Sequence, residues 1–395
     1  MEKALAGVRI IDLTRALAGP YGAMILGDLG AEIIKIEAVG SNRMNSGGTA
    51  FKGQDAYNMS INRSKKSITL DTRTEKGREI FYDLVKISDV VFDNFRPGVL
   101  ERLKMDYETL KKINPRIISC SISGFGSSGP YRDRPAYDVV IQALTGVMSI
   151  TGEPDRPPVR CGVALSDQGA GMFAAHGILA ALYARERTGV GQKVETSLFE
   201  ATIAQIAYEA SIYYVSGEIP GPVGSGHRIL PVYQAFETRD GYVSIAAVGD
   251  KYPLLFKALG REDLLKDTLF TGPATIENKK ERVSIIQEVF LTKTTEEWMR
   301  LLIEADVPCG PVNTLDKALA DPQVAATDMA VTIDHPSGAQ VRQTGNPIKM
   351  SGTPPELKTK FLFPPYVGEH TEETLSRLLG YSEETLARLR EEKII

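Results

Sequence analysis

The first third of the chain alternates short apolar runs with segments of helical spacing, and this rhythm constrains the fold most. Val8–Leu13, Ala31–Glu37 and Asp89–Asp93 read as buried strands. Arg116–Ile122 is a fourth, and Ser67–Asp71 is a short extended piece. Between them Gly19–Leu29, Glu75–Ile87 and Val99–Lys112 have helical spacing, with Ile80, Leu84 and Val85 on one face. Strands that are apolar on both faces and separated by helices call for a parallel sheet covered on each side. The expectation is an α/β chain with a doubly wound sheet.

Farther along, Asp167–Arg187 reads as a long helix rich in Gly and Ala, able to pack closely on a neighbour. Val194–Ser216 reads as another helix. Gly217–Gly226, with Pro220 and Pro222, marks a boundary. Ala235–Ala247 has apolar alternation on either side of Asp240-Gly241, a hairpin signal. Thr295–Ala305 carries the only Trp, Trp298, so a smaller α+β domain is expected here. Thr371–Glu391 reads as one charged amphipathic helix.

Several functions drop out on composition. Lys and Arg number 46 against 50 Asp and Glu, a net charge of −4 with no basic block, so nucleic acid is not an expected partner. Cys120, Cys161 and Cys309 are far apart, and His176, His227, His335 and His370 are scattered, which argues against a disulfide framework or a metal site. No run approaches the roughly 18 apolar residues of a membrane span, and no signal peptide is evident. A cytoplasmic protein with no membrane association is expected.

The motifs leave alternatives open. Gly124-Phe-Gly126-Ser-Ser-Gly129 matches GxGxxG, but Pro130 and a polar run follow where a dinucleotide fingerprint would open a helix. A flexible loop is the better reading, and a nicotinamide oxidoreductase the weaker one. Gly189-Val-Gly191 reads as a helix stop and strand entry. Asp167 opens the small-residue helix as its N-cap or as a nucleophilic carboxylate. In the second reading Gly169 and Gly171 clear the approach of a ligand, and the helix N-terminus favours negative charge. Asn94–Gly98 is a turn or a ligand contact at the carboxyl end of a strand. Arg63, Lys65, Lys66 and Arg73 form a solvated face or a phosphate patch. Glu369-His370 has no triad partners, and Asp167 and His176 lie on opposite sides of one helix.

These stretches resemble the family III coenzyme A transferases, the formyl-CoA and carnitine CoA-transferase group. The matching pieces run in order along the chain: LAGVRIIDLTRALAGPYG (5–22), LGAEIIKIE (29–37), NRSKKSITLD (62–71), DNFRPGVLERL (93–103), SGFGSSGP (123–130), YDVVIQALTGVM (137–148), SDQGAGM (166–172), RTGVGQKVETSLFEA (187–201), VPCGPVNTL (307–315) and GEHT (368–371). The resemblance implies a Rossmann-like large domain built from 1–216 and 326–395, a small domain at 225–325, and an interlocked homodimer. It places the catalytic aspartate on Asp167, which would pass through an aspartyl anhydride and an aspartyl-CoA thioester. It carries CoA contacts onto Leu70, Arg73, Asn94, Phe95 and Arg102, with Leu17, Tyr137, Gly124 and Gly126 on the substrate side. Acyl-CoA and a small carboxylic acid are the implied substrates; no metal and no permanently bound cofactor are implied.

Three departures bear on specificity. Leu17 stands where formyl and oxalyl enzymes carry glutamine, the tetraglycine run of their middle domain is absent, and Ala38 replaces an arginine, so that one nucleotide contact is either lost or supplied from elsewhere, Arg43 being a candidate. Leu17 and Tyr137 would then favour a less polar or longer acid than oxalate. An acyl-CoA racemase of the same superfamily needs a histidine where Tyr137 stands, and a phenol with a pKa of about 10 is a poor base. A non-catalytic CoA-binding protein is the remaining alternative.

Overall fold

The computed structural model describes residues 3–41, 50–51, 54–273, 275–334, 338, 340–353 and 361–395. The chain divides into two compact units, one of residues 1–145, 161–211 and 323–395, the other of 146–160 and 212–322. Arg43 lies outside the described residues.

The main sheet of the first unit has six strands: β1 (Arg9–Asp12), β2 (Glu32–Glu37), β3 (Lys65–Thr69), β4 (Val90–Asp93), β5 (Ile118–Ser123) and β6 (Lys193–Ser197). Their order is β3-β2-β1-β4-β5-β6 and every neighbouring pair is parallel. The strand order therefore reverses between β1 and β4, and in such sheets ligands bind outside the carboxyl ends at that point. Alternation sends successive residues to opposite faces: Ile10 enters one core and Ile11 another, both fully buried. The first core is closed by α1 (Ala18–Asp28) and by the 24-residue helix α7 (Leu165–Thr188). The second is closed by α3 (Glu75–Lys86) and by the carboxyl-terminal helices Thr371–Leu379 and Glu383–Glu391, which contribute Leu375, Leu386 and Leu389.

The small residues of α7 have a packing role. A Cβ on Gly171 would lie 2.4 Å from the Ala18 carbonyl oxygen of α1, and one on Gly22 would lie 2.6 Å from the Gly171 oxygen. A Cβ on Gly169 would meet the Gln205 amide at 2.1 Å. Gly169 and Gly171 therefore admit neighbouring protein, which corrects the expectation that they clear a ligand's path. Gly171→Ala should destabilise the protein by about 2 kcal/mol through overpacking of backbone on backbone. Urea unfolding would check this; an unchanged midpoint would contradict the close approach.

Three predicted helices are interrupted. Val99–Lys112 is two helices, α4 (Val99–Leu103) and α5 (Tyr107–Ile113), because Lys104 takes a left-handed φ of 57° and Asp106 caps the second. Val194–Ser216 begins as β6, then continues as α8 (Leu198–Gln205) and the helix Ala207–Ser216. Thr371–Glu391 breaks at Gly380 (φ 71°), and Ser382 caps the second piece. The stop at Gly189 is as expected, with a left-handed φ of 77° just before β6.

The basic cluster is split: Arg63 and Lys65 are buried structural cations, whereas Arg73 stays on the solvated face. Arg63 is buried against Asp28 (2.8 Å), and Lys65 is buried against Asp12 (3.1 Å). Lys66 pairs with Glu373 and Arg73 with Asp71.

The second unit has a three-stranded antiparallel sheet, with Tyr242–Ala246 between Tyr233–Glu237 and Cys309–Pro311. Trp298 fills its core beside Phe290, which stacks on Phe236; the indole N–H donates to the Phe290 carbonyl at 2.7 Å.

Candidate active site

The loops after β1 and β4 meet where the strand order reverses. The Asn94 side chain clasps Arg15: its Oδ1 accepts from the Arg15 N–H and its Nδ2 donates to the Arg15 carbonyl, both at 2.7 Å. The Arg15 guanidinium lies 5.4 Å from the Phe95 ring centroid. Ala16 takes a left-handed φ of 58°, a sparsely populated conformation for a residue with a Cβ, and the flanking clasp helps to hold it. Below this loop the buried Asp12 carboxylate faces Lys65 and Lys35. Lys65 also donates to the Pro20 carbonyl and Lys35 to the Thr14 carbonyl, so the charge network anchors both ends of the turn.

Asp167 sits in a cleft of about 240 Å³ together with Arg15, Asn94, Phe95, Gly124, Arg134 and Tyr137. It is the third residue of α7 and not its cap; Ala164 holds the cap position without a side-chain bond. The capping is done from another helix, α6 (Asp138–Leu144). Asp138 Oδ1 accepts from the Ser166 N–H at 2.9 Å and the Asp167 N–H at 3.4 Å, and its Oδ2 accepts from Gln142 Nε2 at 2.7 Å. Gln142 is held in this orientation because its Oε1 accepts from the Cys161 N–H at 2.9 Å. Both Asp138 oxygens act as acceptors, the pattern of an ionised carboxylate.

This charge stands beside Asp167. Burial first, and the Asp138 charge second, push the Asp167 carboxyl up to about 6. Burial, Asp167 and Asp55 raise the phenol of Tyr57 in turn, so it remains a protonated donor at neutral pH. The first amides of α7 are already occupied, Leu165 N–H by the Val163 carbonyl and Gln168 N–H by that of Ala164, in addition to the two taken by Asp138. The negative charge expected at this helix end is therefore met largely by the Asp138 carboxylate. Asp138→Asn removes it, so the acid limb of kcat/KM should move to lower pH as Asp167 returns toward its ordinary value. A limb that stays in place would contradict the coupling.

Of the residues named from sequence, Asn94, Phe95, Gly124, Tyr137 and Asp167 line one cleft. Leu17 is half-buried at the cap of α1, and its neighbours Ala16 and Ala18 line the cleft instead. Leu70 is buried in the second core. Arg73 is exposed and holds Asp71 through two bonds, at 2.8 and 2.9 Å, and Arg102 is exposed on α4. Gly126 has a left-handed φ of 94° and donates its N–H to Ser123 Oγ. Gly124 admits Ala136, since a Cβ there would lie 2.5 Å from the alanine methyl. The loop is anchored by buried Phe125, set edge-on to Tyr131 at 5.5 Å. Sequence reasoning missed the Asp138 cap and the cleft residues Arg15 and Arg134. Among the described residues no group of three metal-ligating side chains forms, and no helix is long and apolar enough to cross a membrane.

The model of CoA-transferase family III matches residues 5–371. The chain is 36% identical to the succinyl-CoA:glutarate CoA-transferase of Mus musculus, over 98% of this chain and 89% of that protein. It is 38% identical to the acetyl-CoA:oxalate CoA-transferase of Acetobacter aceti, over 88% of this chain and 89% of the relative. A crystal structure of a CAIB/BAIF family protein from Brucella suis superposes with a TM-score of 0.84 at 36% identity, covering 96% of this chain and all of that one.

Proposed function

The chain belongs to CoA-transferase family III, and from that premise we propose that Asp167 carries CoA covalently from a donor thioester to a free carboxylic acid. An Asp167 oxygen attacks the thioester carbonyl, the C–S bond breaks, and CoA thiolate leaves an aspartyl–acyl anhydride. The thiolate attacks the Asp167 carbonyl of that anhydride, the donor acid departs as carboxylate, and an aspartyl-CoA thioester remains. The acceptor carboxylate attacks this thioester, releasing thiolate and forming a second anhydride. Attack of the thiolate on the acceptor's carbonyl gives the new acyl-CoA and restores the Asp167 carboxylate.

The observation that carries this reading is the Asp167 carboxylate in the cleft, kept poorly solvated and beside a second fixed negative charge. Both features destabilise the ionised ground state, whereas the anhydride and the thioester place no charge on Asp167. The cleft's guanidinium groups are the donors for the developing oxyanion. Asn94 and Phe95 lie on the CoA side, and Arg73 and Arg102 are offered to its phosphates. Tyr137 stands where a racemase would need a base.

The test is exchange between succinyl-CoA or acetyl-CoA and a panel of mono- and dicarboxylic acids, with the acyl-CoA products separated. New acyl-CoA formed in step with donor consumption supports the reading. Epimerisation of a 2-methylacyl-CoA without exchange would replace it with the racemase.

The subunit is proposed to work as a homodimer. Helix Ala207–Ser216 buries none of its residues, and Tyr214 and Val215 are 81% and 89% exposed, an apolar surface suited to a second copy. Light scattering on the eluting protein should give twice the chain mass; a monomer would contradict it.

A further inference from the structure

We infer that Gln142 is a positioning residue that decides which of two neighbouring carboxyls holds a proton, keeping the charge on Asp138 and the proton on Asp167. The inference rests on the reading of Asp167 as the nucleophile. Gln142 is fully buried on α6, one helical turn after Asp138, and does not line the Asp167 cleft. Both ends of its amide are used: Oε1 accepts from the Cys161 N–H at 2.9 Å, and Nε2 donates to Asp138 Oδ2 at 2.7 Å. The Cys161 N–H can only donate, so it keeps the amide oxygen on its own side and turns the NH2 group toward Asp138. The other Asp138 oxygen meets the Ser166 and Asp167 N–H groups. Donors therefore face Asp138 at both oxygens, and a proton on either one would displace a hydrogen bond. Asp167 is placed oppositely. Among the described residues no donor reaches its carboxylate, and its own N–H is spent on Asp138.

Two carboxyls this close titrate as a pair, and the question is where the last shared proton resides. With Gln142 donating to Asp138, that proton sits on Asp167, which cannot attack a thioester until it is lost. Without the donor the proton can sit on Asp138, and Asp167 is an ionised nucleophile at lower pH. The other ionisable groups around the pair are few. Arg15, Arg96, Arg132 and Arg134 line the cleft, and Tyr57 faces Asp167 from helix Ala56–Asn62. From α8 Glu200 accepts from Ser197 Oγ at 2.6 Å, and α1 carries no charge before Asp28 at its far end, paired with Arg63. Of all these charges only Asp138 shifts Asp167.

The test is the pH profile of kcat/KM for CoA exchange between succinyl-CoA and the best acid of the panel above, from about pH 4.5 to 8. Ionisations of the substrates are common to every variant and cancel in the comparison. Gln142→Met keeps the length of the side chain without its donor, and the acid limb should fall by about half a pH unit or more. Gln142→Glu keeps an acceptor for the Cys161 N–H and shares a proton with Asp138, so its limb should fall in the same direction by less; it carries the test alone if the Met variant does not fold. In an Asp138→Asn background, where one carboxyl is left to titrate, Gln142→Met should move the limb no further. A loss of kcat/KM by the same factor at every pH, with the limb in place, is the mark of a purely structural role and overturns the inference. A further fall of the limb in the Asp138→Asn background overturns it too, because Gln142 would then act without Asp138. Absence of CoA exchange by the wild type at any pH would instead remove the transferase reading itself.

Discussion

Asp167→Asn should abolish CoA exchange, lowering turnover by roughly 10⁴-fold or more, as expected when a nucleophile is removed from a covalent mechanism. Binding of the CoA thioester should persist, because Asn94, Phe95 and the arginines of the cleft are untouched. The same change should raise stability at pH 8. The folded protein holds the Asp167 proton up to about pH 6 against 3.8 for the ordinary group. Folding therefore loses stability as pH rises from about 4 through 6, where the chain must accept a poorly solvated charge. An amide carries no such charge, so the variant should be more stable at pH 8 by about 2 kcal/mol, allowing for the partial exposure of the group. At pH 4 the two proteins should be nearly equal. An inactive variant with no gain at pH 8 would show that the site does not strain this carboxylate.

Asp12→Ala should be the most damaging single change to stability, at about 3–5 kcal/mol, because it leaves Lys35 and Lys65 buried without their carboxylate. Burial alone would raise the Asp12 carboxyl. Lys35, Lys65 and the hydrogen bonds from Thr14 outweigh it and hold the group at about 2. The stability from this group is thus fully present above about pH 4 and is lost as pH falls toward 2. Removing it also frees Lys65 from its place under Pro20 and Lys35 from its place under Thr14, which loosens the turn bearing Arg15. Urea unfolding at pH 7 measures the effect, and a variant within 1 kcal/mol of wild type, roughly the scale of a surface ion pair, would contradict the network.

What could be read beforehand depended on how local the signal was. β1, β2 and β4 were legible because burial on both faces leaves continuous apolar runs such as Ile10-Ile11 and Val90-Val91-Phe92. β6 was not, since its one face is polar and its five residues run straight into α8, so helical spacing absorbed them. The break at Lys104 carries no glycine or proline to announce it. Asp167 could be placed at a helix start from its neighbours alone. Its cap could not, because Asp138 lies 29 residues away and reaches α7 only in the folded chain. The glycines of α7 were visible, but their partners on α1 and α8 were not, so their space was assigned to a ligand when it belongs to the Ala18 and Gly22 backbone and to the Gln205 side chain.

The central claim is a covalent bond between CoA and Asp167. Hydroxylamine added during turnover with succinyl-CoA and an acceptor acid attacks an aspartyl thioester or anhydride at the aspartyl carbonyl, leaving a hydroxamate and releasing the thiolate or carboxylate. Peptide mass spectrometry should find that hydroxamate on Asp167, dependent on the acyl-CoA and absent without it. An enzyme that exchanges CoA at full rate in hydroxylamine, with the Asp167 peptide unmodified, would contradict the account.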